Sequence, residues 1–155
     1  MSFDEMVDSV GAALGIELQV DDDVCAFAVD EQDGHYMPVL MQHIAEKGIV
    51  LVWADLGEPP PQGLELLYKT MLEANDLYAG TGGAILALSD SSGHFRLQRY
   101  DMLAALDGDR AREIIESFVS TLEKWRAVVR DYRESLPAPS AGHADAPGDG
   151  VMMSV

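Results

Sequence analysis

The sequence has little that could support redox, metal or membrane chemistry. It contains one cysteine, Cys25, so no internal disulfide can form and nothing requires an oxidising compartment. No apolar run reaches the roughly eighteen residues of a membrane span, and no basic segment followed by an apolar stretch resembles a secretory signal. We therefore expect a cytoplasmic protein with one folded domain, since 155 residues are few for two cores.

Basic residues are also scarce, and residues 1–46 have no lysine or arginine at all. The chain carries 10 Lys and Arg against 27 Asp and Glu, a formal net charge of −17. Eleven of the acids fall in residues 1–46, so the charge divides into −11 there and −6 in residues 47–155. Nucleic acid and anionic lipid both need clustered bases, so we expect neither as a partner. The charge either favours a basic protein or peptide, through faster encounter, or only keeps the chain soluble.

Few residues suit catalysis or metal binding. The four histidines lie far apart without ligand spacing, and a single cysteine excludes the usual thiolate zinc site. The acidic run at residues 21–23 fits a solvated turn better than a cation site, because consecutive side chains of an extended chain point to opposite faces. Residues 89–92 match no nucleophile motif and are typical of a hairpin loop. The sequence therefore predicts no enzyme, no metal site and no cofactor.

Hydrophobic periodicity predicts the α+β fold class. Ser2 and Glu5 have the spacing of a capping box that starts a helix, and Gly15 is suited to end it. The period then becomes that of strands. The predicted order is helix, three-stranded antiparallel meander, helix, β-hairpin and long helix. The strands of the meander are predicted at residues 24–29, 36–44 and 49–55, and the helix after them at about 62–77. The hairpin strands are predicted at 84–88 and 94–100, and the last helix runs from near 107 or 109 to about 135.

The end of the chain differs in composition from the rest. Beyond Leu136 it is rich in Pro, Gly and Ala, so residues 137–155 are predicted to form a flexible tail after a domain of residues 1–136. The apolar end of this tail, at residues 151–153, suggests the hypothesis that it docks in a groove.

A glycine cluster separates the second predicted helix from the hairpin. It consists of Gly80, Gly82 and Gly83. A phosphate-binding loop places its glycines after a strand and before a helix. Here the order is reversed, so the glycines would lie at a helix C-terminus, where the dipole repels an anion. We therefore predict that the cluster ends the helix and turns the chain by adopting positive φ.

The residues on both sides of this cluster form a recognisable pattern. It comprises LLYKTMLEAN at residues 66–75, TGGA at 81–84, then Leu86, Leu88, Gly93 and Leu97, and the apolar positions of residues 118–125. This pattern resembles the class I type III secretion chaperones, the Tir-chaperone or CesT-like family. The similarity covers roughly residues 2–132, and the predicted order of elements agrees with it throughout.

The resemblance implies an ATP-independent cytoplasmic chaperone that acts as a homodimer. Such a chaperone binds the N-terminal segment of a secreted effector protein for type III secretion, and it uses no cofactor. The bound segment is extended, lays apolar side chains into surface grooves and often adds a strand to a sheet edge. A protein-interaction or regulatory module of the same fold, not tied to secretion, is the alternative.

The resemblance also implies two sets of site residues. The family's grooves involve the first helix and the first sheet segment, which points to Phe3, Val7, Val10, Phe27, Val29, Met37, Val39 and Met41 as partner-binding residues. The family's dimer contacts involve the second helix and the strand after the glycines, which points to Leu67, Met71, Ile85 and Ala87, with Ala84, Leu86 and Leu88 turned inward. The partner-binding set could instead be core, and a period of two does not say which strand face is inside.

Overall fold

The chain folds around one antiparallel sheet. The computed structural model describes residues 1–30 and 34–138, so the predicted tail beyond residue 138 and the docking of its apolar end lie outside the described residues. The elements are α1 (Phe3–Leu14), β1 (Val24–Asp30), β2 (Tyr36–Ile44), β3 (Ile49–Gly57), α2 (Leu64–Asn75), β4 (Ile85–Leu88), β5 (Phe95–Met102) and α3 (Gly108–Ser135). The predicted α+β class and the predicted order of elements are confirmed.

The strands lie in the order β1-β2-β3-β5-β4, and every neighbouring pair is antiparallel. The first three strands form the predicted meander. The second strand of the hairpin, β5, pairs with β3, so β4 becomes an edge strand. Pro38 lies one residue beyond the last pair of the β2–β3 ladder, Val39 with Ala54, so its missing N–H breaks no bond of that ladder.

The hydrophobic core lies on one face of the sheet, which we call the inner face. Helix α1 packs on α3, and α3 packs on β3. The strands contribute alternate residues to this core, as expected for a sheet covered on one side. The buried strand residues are Cys25, Phe27, Met37, Val39, Met41, Val50, Val52, Ala54, Leu56, Leu86, Phe95 and Leu97. The opposite face carries no helix among the described residues, and we call it the outer face.

Both ends of α1 and the start of α3 follow signals in the sequence. Ser2 accepts a hydrogen bond from the Glu5 N–H at 3.2 Å, and the Glu5 carboxylate accepts one from the Ser2 N–H at 2.7 Å. These bonds to Ser2 lower the pKa of Glu5. Gly15 ends α1 with φ 69°, and Asp107 caps α3 by accepting from the Arg110 N–H at 2.8 Å. The predicted capping box and glycine stop are confirmed.

The acidic run before β1 forms a tight turn, as predicted. Asp22 and Asp23 have φ of 50° and 60°, and Asp21 and Val24 exchange two backbone hydrogen bonds of 2.9 Å across them. Aspartate tolerates this left-handed conformation better than most residues do. The chain therefore reverses directly into β1.

The glycine cluster turns the chain but does not end the helix. Helix α2 ends at Asn75, before the first glycine, and a short 3-10 turn follows in which Leu77 and Tyr78 have φ of 49° and 56°. The prediction that the glycines end this helix is therefore wrong, because the reversal begins earlier with non-glycine residues. Gly82 and Gly83 have φ of 58° and 93°, so the predicted positive φ is confirmed there.

Candidate protein-binding surfaces

The β4 edge of the sheet is capped by a side chain. The Leu86 N–H donates to Asn75 Oδ1 at 2.8 Å, and Asn75 Nδ2 donates to the Leu86 carbonyl at 2.9 Å. The amide of Asn75 thus reproduces the two bonds that a neighbouring strand would make with Leu86. Another strand could pair here only by displacing it.

The β1 edge is open. The N–H and C=O of Val24 bond to Asp21, so they face away from β2. Alternate residues of an antiparallel strand face the same way, so the backbone groups of Ala26 and Ala28 also point away from β2. Both alanines are exposed, and within residues 1–30 and 34–138 no turn or loop bonds to their backbone. Their N–H and C=O groups are therefore available to an added strand.

The outer face continues from this edge as an apolar surface. Tyr36, Tyr100 and Met102 are 68%, 59% and 55% exposed. Leu40 and Trp53 lie opposite each other at its centre, and the guanidinium carbon of Arg96 is 4.2 Å from the centroid of the Trp53 ring. Its apolar residues are Ala26, Ala28, Tyr36, Leu40, Ile44, Ile49, Leu51, Trp53, Ile85, Ala87, Tyr100 and Met102. Polar side chains, among them Gln42, Arg96 and Gln98, are interspersed on the same face, and a largely apolar exposed face is typical of an interaction site.

A second apolar surface is formed by α2 and β4, and we call it the α2/β4 surface. Leu72 and Leu88 are 70% and 52% exposed, beside a cleft of about 300 Å³ that Tyr68 and Met71 also line. The ring of Tyr68 packs edge-on against Phe95, with 5.9 Å between the centroids. The cleft has almost no polar lining other than Asn75, the residue that caps β4.

Of the four residues predicted for dimer contacts, Met71 and Ala87 line this cleft, Leu67 lies under α2, and Ile85 lies on the outer face of the sheet. Leu67 and Met71 are 2% and 5% exposed, so they support α2 from below. Ile85 and Ala87 are half-buried and face outward from β4. Of the set predicted to turn inward, Ala84 and Leu86 are buried, whereas Leu88 is exposed at the end of the strand.

The residues predicted to bind a partner come together inside the core. Seven of the eight are at most 7% exposed, and Val29 is half-buried. The core interpretation is the one that their burial supports, since in this conformation these side chains are covered by α1, α3 and one another. The accessible parts of β1 and β2 are instead the open edge and the outer face. Period-two alternation signalled two faces but did not indicate which one the helices cover.

The ionisable groups in unusual surroundings serve the fold. Burial raises the pKa of the Cys25 thiol, which keeps it protonated and unreactive. A hydrogen bond to Asp101 raises the pKa of Arg99; their contacts are 2.6 and 2.9 Å long. Arg99 also donates to the Gly82 carbonyl at 3.2 Å, and Trp125 Nε1 donates to the Gly80 carbonyl at 2.9 Å. These bonds hold the glycine turn against β5 and α3.

In residues 1–30 and 34–138 no three His, Cys, Asp or Glu side chains are grouped closely enough to hold a metal ion. No helix in the same part of the chain has the length and apolar character needed to cross a membrane.

An open sheet edge, an uncovered apolar face and a second apolar surface define a protein-binding α+β domain. Three solved structures share this fold. A chain of the HopA1–SchA chaperone–effector complex is 15% identical, with 86% of this chain and 94% of that chain covered and a TM-score of 0.60. A chain of the ExsC–ExsE complex is 16% identical, with 80% and 90% covered and a TM-score of 0.63. A chain of the ExoU–SpcU heterodimeric complex, from the type III secretion system of Pseudomonas aeruginosa, is 15% identical, with 79% and 93% covered and a TM-score of 0.58.

The sequence itself identifies the family. The model of the Tir chaperone protein (CesT) family matches residues 5–126. The chain therefore belongs to the CesT family, and the resemblance noted in the sequence is confirmed. No curated protein matches the sequence.

Proposed function

We propose that the protein is an ATP-independent cytoplasmic chaperone that binds the N-terminal segment of a secreted effector for type III secretion and acts as a homodimer. Membership of the CesT family supports the chaperone role. One structural neighbour, from a complex that is named as a chaperone–effector complex, supports an effector as the partner. The role requires no catalytic group, because holding an extended segment needs only backbone pairing and apolar contact.

The open β1 edge beside the outer face is the observation that carries this proposal. An extended segment pairing with Ala26 and Ala28 would place every second side chain on the outer face, since strand side chains alternate. The small alanine side chains leave room for those of the segment, and Leu40 and Trp53 lie on the neighbouring strands. Backbone bonds would supply affinity, and the outer face would supply selectivity.

This placement changes the role of the residues first predicted to contact the partner. Phe27, Met37, Val39 and Met41 lie on the inner face of the strands that would receive the segment. We propose that they hold β1 and β2 in place while the outer face makes the contact. Phe3, Val7, Val10 and Val29 would support the same strands from α1 and from the end of β1.

We propose that the homodimer forms through the α2/β4 surface. Leu72 and Leu88 are the exposed leucines beside its cleft, and a two-fold contact would bury both from each subunit. Leu67, Met71, Ile85 and Ala87, the predicted dimer residues, would form or support this interface. The capped β4 edge favours side-chain packing over strand pairing at this contact.

Co-purification from the native cell tests the chaperone role. We expect the wild-type protein to retain one secreted partner through its N-terminal segment. Ala26→Pro removes the outward N–H without touching the β1–β2 ladder, so it should release the partner while the protein stays folded. Ala26→Ser is the matched control, because it keeps the N–H and is nearly as small. Recovery of many partners, or of none, would favour the interaction module instead.

Light scattering tests the dimer. We expect twice the chain mass of 16.8 kDa for the wild type and the chain mass alone for Leu72→Glu. Ser120→Glu places the same charge on an exposed position of α3 and should remain dimeric. A wild-type monomer at micromolar concentration, or equal effects of the two substitutions, would contradict the proposed interface.

A further inference from the structure

Arg96 lies on the outer face with its guanidinium held over the ring of Trp53. The guanidinium carbon is 4.2 Å from the centroid of that ring, a distance at which the positive charge is attracted to the ring face. Both side chains are half-buried, and their neighbours across the sheet include Leu40, opposite Trp53, and Ala87, opposite Arg96. The ring fixes the position of the guanidinium without offering an oxygen acceptor to its N–H groups.

The N–H groups of Arg96 have no acceptor within the fold. In residues 1–30 and 34–138 the Arg96 side chain makes neither a hydrogen bond nor an ion pair. Arg99 on the same strand shows the contrast, since it donates twice to Asp101, at 2.6 and 2.9 Å, and once to the Gly82 carbonyl at 3.2 Å. A guanidinium carries five N–H donors in a planar fork. Those of Arg96 are therefore available to an acceptor from outside the chain.

The acidic residue opposite Arg96 is engaged elsewhere. Asp55 is the Cα partner of Arg96 on β3, the position from which a cross-strand ion pair ordinarily forms. Instead Asp55 Oδ1 accepts from the Gly57 N–H at 2.6 Å, and Asp55 Oδ2 lies 2.8 Å from His94 Nδ1. Because both carboxylate oxygens have these contacts, the guanidinium of Arg96 has no carboxylate partner in the described part of the chain.

The surroundings of Arg96 restrict the kind of group that fits it. A planar fork holds one carboxylate through two parallel bonds. Arg96 is the one lysine or arginine among the strand residues of the outer face, and the chain has a net charge of −17. A phosphate group is usually recognised by several arginines, so it suits this face less well. The matching ligand is a single carboxylate with apolar neighbours.

The Arg96 site is separate from the open edge. Strand β5, which carries Arg96, is three strands away from β1 in the sheet. Neighbouring strands lie about 4.8 Å apart, so the separation is about 14 Å. A side chain of a segment that pairs with Ala26 and Ala28 is too short to span it. A carboxylate that reaches Arg96 therefore belongs to another part of the partner, which crosses the outer face.

We propose that Arg96 and Trp53 form a second contact site, which binds the carboxylate of an aspartate or glutamate that has apolar neighbours in the partner. For the identity of that partner, a secreted effector, the inference rests on the proposed function. The fork of Arg96 bonds to the two carboxylate oxygens, and Trp53 and Leu40 contact the apolar neighbours. The site thus selects for side chains, which backbone pairing at β1 does not.

Two synthetic peptides test this site by titration. Each is a short stretch of leucine and serine around one central residue, which is glutamate in one peptide and glutamine in the other. Both peptides are acetylated and amidated, so the glutamate side chain is the only charge. Net charge alone predicts that the acidic protein binds the glutamine peptide more tightly. We expect the glutamate peptide to bind about tenfold more tightly, because charge-assisted bonds are stronger than neutral ones.

The two tryptophans report where the peptides bind. Trp53 contacts Arg96, whereas Trp125 is 4% exposed and its Nε1 donates to the Gly80 carbonyl at 2.9 Å. Each indole N–H gives its own NMR signal, and Trp53→Phe identifies the signal of Trp53. We expect the glutamate peptide to shift the Trp53 signal and to leave the Trp125 signal unchanged.

Substitutions of Arg96 show whether its fork causes the preference. Arg96→Gln should abolish the preference for glutamate and leave the affinity for the glutamine peptide within about twofold. Arg96→Lys should keep part of the preference, since the charge stays and the fork is lost. Lys124→Gln removes the same charge from an exposed position of α3 and should leave the preference unchanged. The Arg96 variants should stay folded, because only the backbone of Arg96 bonds to the neighbouring strands.

The outcomes separate this proposal from the function on which it rests. Equal binding of the two peptides, binding of neither, an unmoved Trp53 signal, or equal effects of Arg96→Gln and Lys124→Gln overturns the Arg96 site. Ala26→Pro acts at the open edge, so the preference for glutamate should survive in that variant. If the preference is absent but Ala26→Pro still releases the co-purified partner, the chaperone function stands without this site. If the preference is present but no partner co-purifies, the site stands and the proposed function is contradicted.

Discussion

The two edge strands of the sheet differ in whether their outward-facing backbone groups have partners. At β4 the Asn75 amide occupies the outward N–H and C=O of Leu86, whereas at β1 the corresponding groups of Ala26 and Ala28 face solvent. Unpaired edges are a hazard, because any other strand can pair with them. Protection of one edge and exposure of the other supports the proposal that a partner strand is added at β1.

The exposed edge carries its own protection against pairing with copies of itself. It lies within residues 1–46, whose charge is −11 without a single lysine or arginine, and acidic residues stand at both of its ends, at Asp23 and Asp30. Like charges brought face to face in two copies would repel. The acidic residues, which composition alone would explain by solubility, therefore also disfavour pairing of this edge with a second copy.

The largest effect that tests the comparison comes from proline within β1. Phe27 pairs with Val39 and is 7% exposed, so Phe27→Pro removes a ladder bond and an aromatic core side chain and should cost about 4 kcal/mol or more. Ala26→Pro, one residue earlier, should cost less than about 1 kcal/mol, because its N–H faces outward. Chemical denaturation of both variants measures the difference, and similar losses would mean that β1 faces the other way.

The next effect is at the turn that delivers β4 to its edge position. Gly83 has φ 93°, and a Cβ there would lie 2.7 Å from Arg99 Nη1. Gly83→Val should therefore cost about 3 kcal/mol in the free energy of unfolding, from backbone strain and displacement of Arg99. At Gly82 the nearest contact is 3.3 Å, to Ser117 Oγ, so Gly82→Val should cost about 1–2 kcal/mol from strain alone. Unchanged stability in both variants would contradict the turn.

Removal of the β4 cap should have an intermediate effect. Asn75→Ala leaves the Leu86 N–H and C=O without their partners and should cost about 2 kcal/mol. Glu73→Ala on the same helix, at an exposed position, is the control and should change stability by less than about 0.5 kcal/mol. If β4 then accepts a strand, the variant will also self-associate, which light scattering detects.

The smallest effect uses the single cysteine as a reporter of the open edge. Cys25 is 1% exposed on β1, and burial raises the pKa of its thiol. We expect slow labelling by a thiol reagent that speeds up when β1 opens locally, as edge strands do before the rest of the fold. A bound partner segment should slow the labelling further. Labelling that is fast in the free protein and unaffected by the partner would contradict the placement of Cys25 under a pairing edge.

Several elements could be predicted because their signals are local. The Ser2–Glu5 capping box, the αL glycine at Gly15 and the acidic turn before β1 each depend on a few neighbouring residues. The predicted end of α2 is wrong because it, too, depended on local signals alone. The glycines at 80–83 are the strongest local signal, but the chain reverses before them. At that point Leu77 and Tyr78 have positive φ, and the Asn75 side chain bonds to Leu86. The two hydrogen bonds between Asn75 and Leu86, eleven residues apart, outweighed the local preference.

The candidate site was only partly predictable. The alternation in β1 and β2 shows that each strand has two faces, and Met37 and Val39, which are predicted to bind the partner, lie on the face that the helices cover. Nothing in a period of two distinguishes the covered face from the uncovered one. The cleft of about 400 Å³ between α3 and the ends of β2 and β3 had no sequence signal, since His35 and Leu56 meet the arginines of α3 only after the chain has folded.

Order along the chain was thus sufficient for the α+β class, the succession of elements, the acidity of the first 46 residues and the resemblance to the CesT family, because each depends on composition or on neighbours in sequence. The pairing of β5 with β3, the cap of Asn75 on β4 and the open edge at β1 were decided by tertiary structure. Each of them joins residues far apart in the chain, and which backbone groups remain unpaired depends on how the whole sheet is assembled.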